Sequence, residues 1–163
     1  MRLTIVGNGP EYSSLKNLIK KLNMEEKIFL YGKANREEVK MLLQKSDAFV
    51  LSSQYETFGV VVIEAMSCGL PVVATKCGGP ESIIVNDKLG KLVDIDVQSL
   101  SEGMKEVFLK TYNGDYIRKY VIDNFSGNII SKKLIDIYIA VIYDEHKEEK
   151  VPNDGKRIHD RKC

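Results

Sequence analysis

Glu56 and Glu64 bracket the run Thr57-Phe58-Gly59-Val60-Val61-Val62-Ile63. Its last four residues form an unbroken apolar block, and Glu64 follows where a core-facing helix would place another hydrophobe. Packing does not explain a carboxylate there, but a ligand does. Thr57-Phe58-Gly59 falls at the expected start of the helix. Free amides and the positive end of the helix dipole suit a phosphate at that point. Gly59 has no Cβ, so a ligand could approach the backbone closely. Glu64 would sit about one turn further in. Its carboxylate can accept two hydrogen bonds from a vicinal diol such as a ribose 2′,3′-hydroxyl pair. Glu56, in the loop before the helix, would reach another part of the same ligand. A diol, a phosphate and further hydroxyls describe a nucleotide-sugar. Spacing alone also allows a plainer reading, with Glu56 a solvated loop residue and Glu64 a surface partner for a lysine.

The elements that must position these residues alternate. Leu3–Val6, Ile28–Tyr31, Ala48–Leu51, Val72–Thr75 and Leu92-Val93 read as five short strands. Leu15, Leu18, Ile19 and Leu22 mark the apolar face of a first helix, and Val39, Leu42 and Leu43 that of a second. Asn35 and Glu38 form a capping-box pair for the second helix. The motif helix ends near Gly69, and Gly78-Gly79-Pro80 opens a short one through Ile83-Ile84. Asp96 caps a helix carrying Val97, Leu100, Met104, Val107 and Phe108. Further helices span about Asp115 to Ile122 and the stretch with Ile130, Leu134, Ile137 and Val141. This α/β pattern predicts a Rossmann-like parallel sheet of about five strands flanked by helices, with C-terminal helices packing back on the domain. Residues 1–143 would form the domain, and the charged segment 144–163 a disordered tail. Ligands in such folds bind at the carboxyl ends of the strands. Gly7-Asn8-Gly9, Tyr31-Gly32, Ser52–Gly59 and Cys77–Glu81 all fall there.

Composition narrows the classes. The chain has 163 residues, 44% hydrophobic and 29% charged, enough for one domain with a core. A net charge of +1 gives no global field for nucleic acid or an anionic membrane. No apolar run approaches a membrane span, and Met1–Gly7 is interrupted too soon for a signal peptide. Cys68, Cys77 and Cys163 form no CxxC pair, and His146 and His159 have no companions at metal spacing. No metal and no cofactor are expected, and the compartment reads as reducing and cytoplasmic. Gly7 and Gly9 begin a dinucleotide fingerprint, but the third glycine would fall at Tyr12 and no acidic residue follows the second strand.

Taken together, Ser52 through Val93 resembles the nucleotide-sugar-binding domain of retaining glycosyltransferases of family 4, which have the two-domain GT-B fold. The family's Glu-x7-Glu pattern is met by Glu56, Phe58-Gly59 and Glu64-Ala65-Met66. Its continuation is met by Gly69-Leu70-Pro71-Val72-Val73-Ala74 and its glycine pair by Gly78-Gly79-Pro80-Glu81. Gly7-Asn8-Gly9-Pro10-Glu11 matches its first turn. The resemblance implies that Glu64 holds the ribose hydroxyls. It implies that Glu56 contacts the donor sugar and is the catalytic candidate. Backbone at Phe58, Gly59 and Val60 would line the sugar and phosphate. Gly7, Gly9, Gly78 and Gly79 would complete the donor site, and Tyr31 and Gly32 would meet the base. The reaction would transfer a sugar from a nucleoside-diphosphate sugar with retention, to a glycan or lipid-linked acceptor.

The chain departs from that pattern at its start. The family's first strand–helix unit, with a Gly-Arg turn and a Lys that clamp the diphosphate, is not matched, nor is the acceptor domain. That strand would lie between Leu3–Val6 and Ala48–Leu51. Those two strands must then pair directly, leave a gap or recruit a strand from another chain, which favours self-association or pairing with a missing domain. The resemblance thus implies the donor-binding portion of a glycosyltransferase, inactive in isolation and peripheral to a membrane in its full-length form. The alternative is a non-catalytic nucleotide-sugar-binding module or the relic of a truncated gene.

Overall fold

Short β-branched runs separated by amphipathic segments give a regular β/α series. The computed structural model describes residues 1–148. In chain order the first half runs β1 (Leu3–Val6), α1 (Tyr12–Lys21), β2 (Ile28–Gly32), α2 (Arg36–Gln44), β3 (Phe49–Leu51) and α3 (Val60–Ser67). It continues through β4 (Val72–Thr75), α4 (Gly79–Ile83), β5 (Gly90–Val93), α5 (Val97–Leu109), α6 (Gly114–Phe125) and α7 (Gly127–Glu148). Every strand pairing is parallel.

The strands form two sheets, β1-β2 and β3-β4-β5. β1 and β3 do not pair with each other, so the direct pairing among the expected arrangements is not the one found. All four residues of β4 are buried, as expected of a central parallel strand covered on both faces. α5 lies against β4 and β5. Val107 there meets Val73 and Val93, with Val50, Leu100, Met104 and Tyr112 packed around them. The buried apolar residues run from Val62 to Val121, apart from Ile19 on α1. Leu18 and Leu22, expected to share the buried face of α1, are 49% and 55% exposed. A two-stranded ribbon offers too little area to cover that face.

Local sequence sets the helix ends. The Asn35 side chain accepts from Glu38 N–H, and Glu38 accepts from Asn35 N–H, the reciprocal bonds of a capping box. Asp96 accepts from the Ser99 amide at 2.8 Å and from its hydroxyl at 2.6 Å. These bonds hold the Asp96 carboxyl below the usual carboxylate range, the side-chain bond most of all.

The chain divides into two compact units, Met1–Val121 and a second that begins at Ile122. Within the second unit α7 carries Ile130, Leu134, Ile137 and Val141, as the periodicity predicts. It runs on to Glu148, so the domain boundary expected at residue 143 falls inside a helix. Asp144-Glu145-His146-Lys147-Glu148 contains no glycine or proline, and Glu and Lys are good helix formers. The rest of the expected tail, 149–163, lies outside the described residues.

Candidate functional site

At the carboxyl end of β3 the chain leaves the sheet and reaches Glu56 through Ser52-Ser53-Gln54-Tyr55. The Thr75 side chain, buried at the end of β4, ties down the start of this loop. Its hydroxyl donates to the carbonyls of Leu51 and Ser53. Glu56 is half-buried and forms an isolated parallel bridge with Gly78. Its N–H donates to the Cys77 carbonyl at 2.9 Å, and its own carbonyl accepts from Gly79 N–H at 2.7 Å. The Glu56 carboxylate turns back toward α3. Oε1 accepts from Phe58 N–H at 3.4 Å and from Gly59 N–H at 3.2 Å. Two of the amides expected to face a phosphate are therefore already capped by a carboxylate.

Gly59 is the N-cap of α3 at φ +94°, a left-handed conformation that favours glycine. A Cβ there would lie 3.2 Å from Ile83 Cδ1 and 3.6 Å from the Pro80 nitrogen. Its missing side chain thus serves close packing against α4. Val60 follows in the first turn, 57% exposed, and Phe58 is 46% exposed. Glu64 lies further along α3 and is half-buried. No hydrogen bond or ion pair engages its carboxylate among the described residues. The lysine partner of the plainer reading is not found there.

Gly78 and Gly79 join this cluster through backbone. Gly78 N–H donates to Glu81 Oε2 at 2.7 Å and Gly79 N–H to Glu56, so both amides are engaged within the protein. Glu81 and Thr75 have no assigned role in the sequence reading, although Glu81 was part of the motif. The usable signals were a carboxylate three residues after a glycine turn and a polar residue closing a buried strand.

Tyr31, Gly32, Gly7 and Gly9 form a second cluster at the carboxyl ends of β1 and β2. Gly7 N–H donates to the Gly32 carbonyl at 2.8 Å. The Tyr31 hydroxyl donates to Glu38 Oε1 at 3.2 Å, which ties it to the α2 cap. Desolvation, then the Glu38 charge and hydrogen bond, push the Tyr31 phenol above its ordinary value. Space above Gly7 and Gly9 is open. A cleft of about 300 Å³ beside them is lined by Ile5, Val6, Pro10, Tyr12, Leu15 and Leu30 among others.

Among the described residues no His, Cys, Asp or Glu cluster could hold a metal ion, and no helix is long and apolar enough to cross a membrane. The model of the family described as glycosyl transferases group 1 matches residues 1–124. The chain belongs to this family. Its structural neighbours are GT-B glycosyltransferases. This group 1 glycosyl transferase chain is similar to the N-acetyl-alpha-D-glucosaminyl L-malate synthase of Bacillus anthracis. The two are 31% identical over 91% of this chain and 39% of that protein. It is similar to a crystal structure of a glycosyltransferase from Rickettsia africae ESF-5, with TM-score 0.73 and 27% identity over 87% of this chain and 40% of that one. A TarM mutant of S. aureus, solved in complex with Fondaparinux, alpha-GlcNAc-glycerol and UDP, matches with TM-score 0.72 and 25% identity. That match covers 85% of this chain and 29% of that one. The group 1 chain thus spans under half the length of these relatives.

Proposed function

We propose that this chain is the donor-binding portion of a glycosyltransferase that transfers a sugar from a nucleoside-diphosphate sugar with retention. The observation that carries this is the unpartnered, half-buried Glu64 carboxylate on the helix whose N-terminus meets Glu56. Glu64 would bind the ribose diol, and Glu56 the donor sugar, with Phe58, Gly59 and Val60 backbone beside the sugar and diphosphate. Gly7, Gly9, Tyr31 and Gly32 would face the base side. As the donor bond breaks, negative charge would build on the diphosphate, and the α3 N-terminus would offset that charge. No metal is invoked in this scheme. A glycan or lipid-linked acceptor would bind outside this chain.

UDP-, GDP- and ADP-glucose titrated by calorimetry against wild type and Glu64→Ala test the site. Loss of a charge-assisted bidentate contact should weaken the best donor by about tenfold to a hundredfold. Equal affinities for the two proteins would remove Glu64 from the site. In this scheme the chain by itself binds donor without turning it over. Sugar transfer by the purified chain alone would overturn that part.

A further inference from the structure

The Glu56 backbone is held by the turn after β4. Glu56 exchanges two backbone bonds with Cys77 and Gly79. Gly78 adopts φ +112°, and a Cβ on it would lie 2.7 Å from the Glu56 carbonyl oxygen. A Cβ on Gly79 would lie 2.2 Å from the Phe58 carbonyl carbon. Both obstacles are main-chain atoms, which cannot rotate aside. From the other side Glu81 Oε2 accepts Gly78 N–H at 2.7 Å, and the Ser82 hydroxyl donates to the Gly79 carbonyl at 2.8 Å. A continuous path therefore runs from the Glu81 carboxylate through Gly78-Gly79 to the Glu56 backbone. It ends at the carboxylate that caps Phe58 and Gly59.

We propose that Glu81 is a positioning residue which, through the side-chain-free turn Gly78-Gly79, sets the direction in which Glu56 meets the donor sugar. The proposal rests on the donor-site reading above. Glu81 touches no ligand in this scheme. Its removal frees Gly78 N–H and lets the turn, and Glu56 with it, drift. The cost should fall on recognition of the sugar and spare recognition of the nucleotide.

The test uses the whole chain, with the nucleoside diphosphate and its glucose conjugate from whichever of the UDP, GDP and ADP pairs wild type binds best. Glu81→Ala should weaken the glucose conjugate by about threefold to tenfold and leave the free diphosphate within about twofold. Glu81→Gln keeps an acceptor for Gly78 N–H and should restore wild-type discrimination. Equal losses for both ligands, or unchanged discrimination, would overturn the proposal. Amide hydrogen exchange supplies a ligand-free arm. Glu56 and Gly79 N–H should exchange faster in Glu81→Ala while Val73 and Ala74 in β4 stay as in wild type. If wild type binds none of the ligands, the donor reading fails, and this arm alone judges the positioning. Unchanged exchange at Glu56 and Gly79 then refutes it.

Discussion

Glu56 occupies the amides that a donor phosphate would use. Its Oε1 accepts from Phe58 and Gly59 N–H in the unliganded chain. On the proposed donor reading, a bound diphosphate would have to displace that carboxylate, which would then turn toward the sugar. Glu56→Ala should therefore keep or strengthen affinity for the free nucleoside diphosphate while abolishing the preference for its glucose conjugate. It should also cost about 0.5–1 kcal/mol of stability through the lost helix-end charge. Calorimetry with both ligands and a urea titration measure these, and parallel weakening of both ligands would contradict the competition. Glu64 stands out in the sequence because a carboxylate ends an apolar run, and Glu56 because it opens the same motif. Glu81 and Thr75 carried no such contrast. Thr75 reaches partners distant in sequence, and Glu81 acts through glycine backbone.

At the level of elements, the caps were the most legible features because their chemistry is local. Asn35 with Glu38, and Asp96 with Ser99, close their bonds within three residues. The Asp96 carboxyl titrates lower in the folded chain than in the unfolded one, first through the Ser99 hydroxyl bond. Its contribution is present above the unfolded carboxylate range and is lost as pH falls through the folded value. Asp96→Ala should lower the melting temperature near neutral pH and converge on wild type in acid, as calorimetric scans across pH would show. A constant difference at all pH values would assign the effect to something other than charge. The end of α7 was not legible, since a charged run composed of good helix formers reads equally as tail or helix.

Across the whole molecule, five parallel strands were legible from alternation, but the choice among the arrangements open to β1 and β3 was not. Strand pairing is a long-range property, and the pattern of β1 and β3 does not record which neighbour each one finds. The burial of the helices followed from the division into two sheets. Ile19 alone is buried on α1, although Leu15, Leu18 and Leu22 share its periodicity. The Val73–Val93–Val107 cluster has a kinetic consequence. It is assembled from β4, β5 and α5, with only the short α4 intervening, so its contacts join neighbouring stretches of the chain. A nucleus forming there would organise before β1 and β2 join. Val73→Ala should slow refolding in stopped-flow traces, whereas Ile19→Ala should leave the refolding rate nearly unchanged and hasten unfolding. The reverse pattern would place the rate-limiting event in the first two strands. On this account the chain reaches its native state from the middle outward, and the glutamate loop sits on the part that is ordered first.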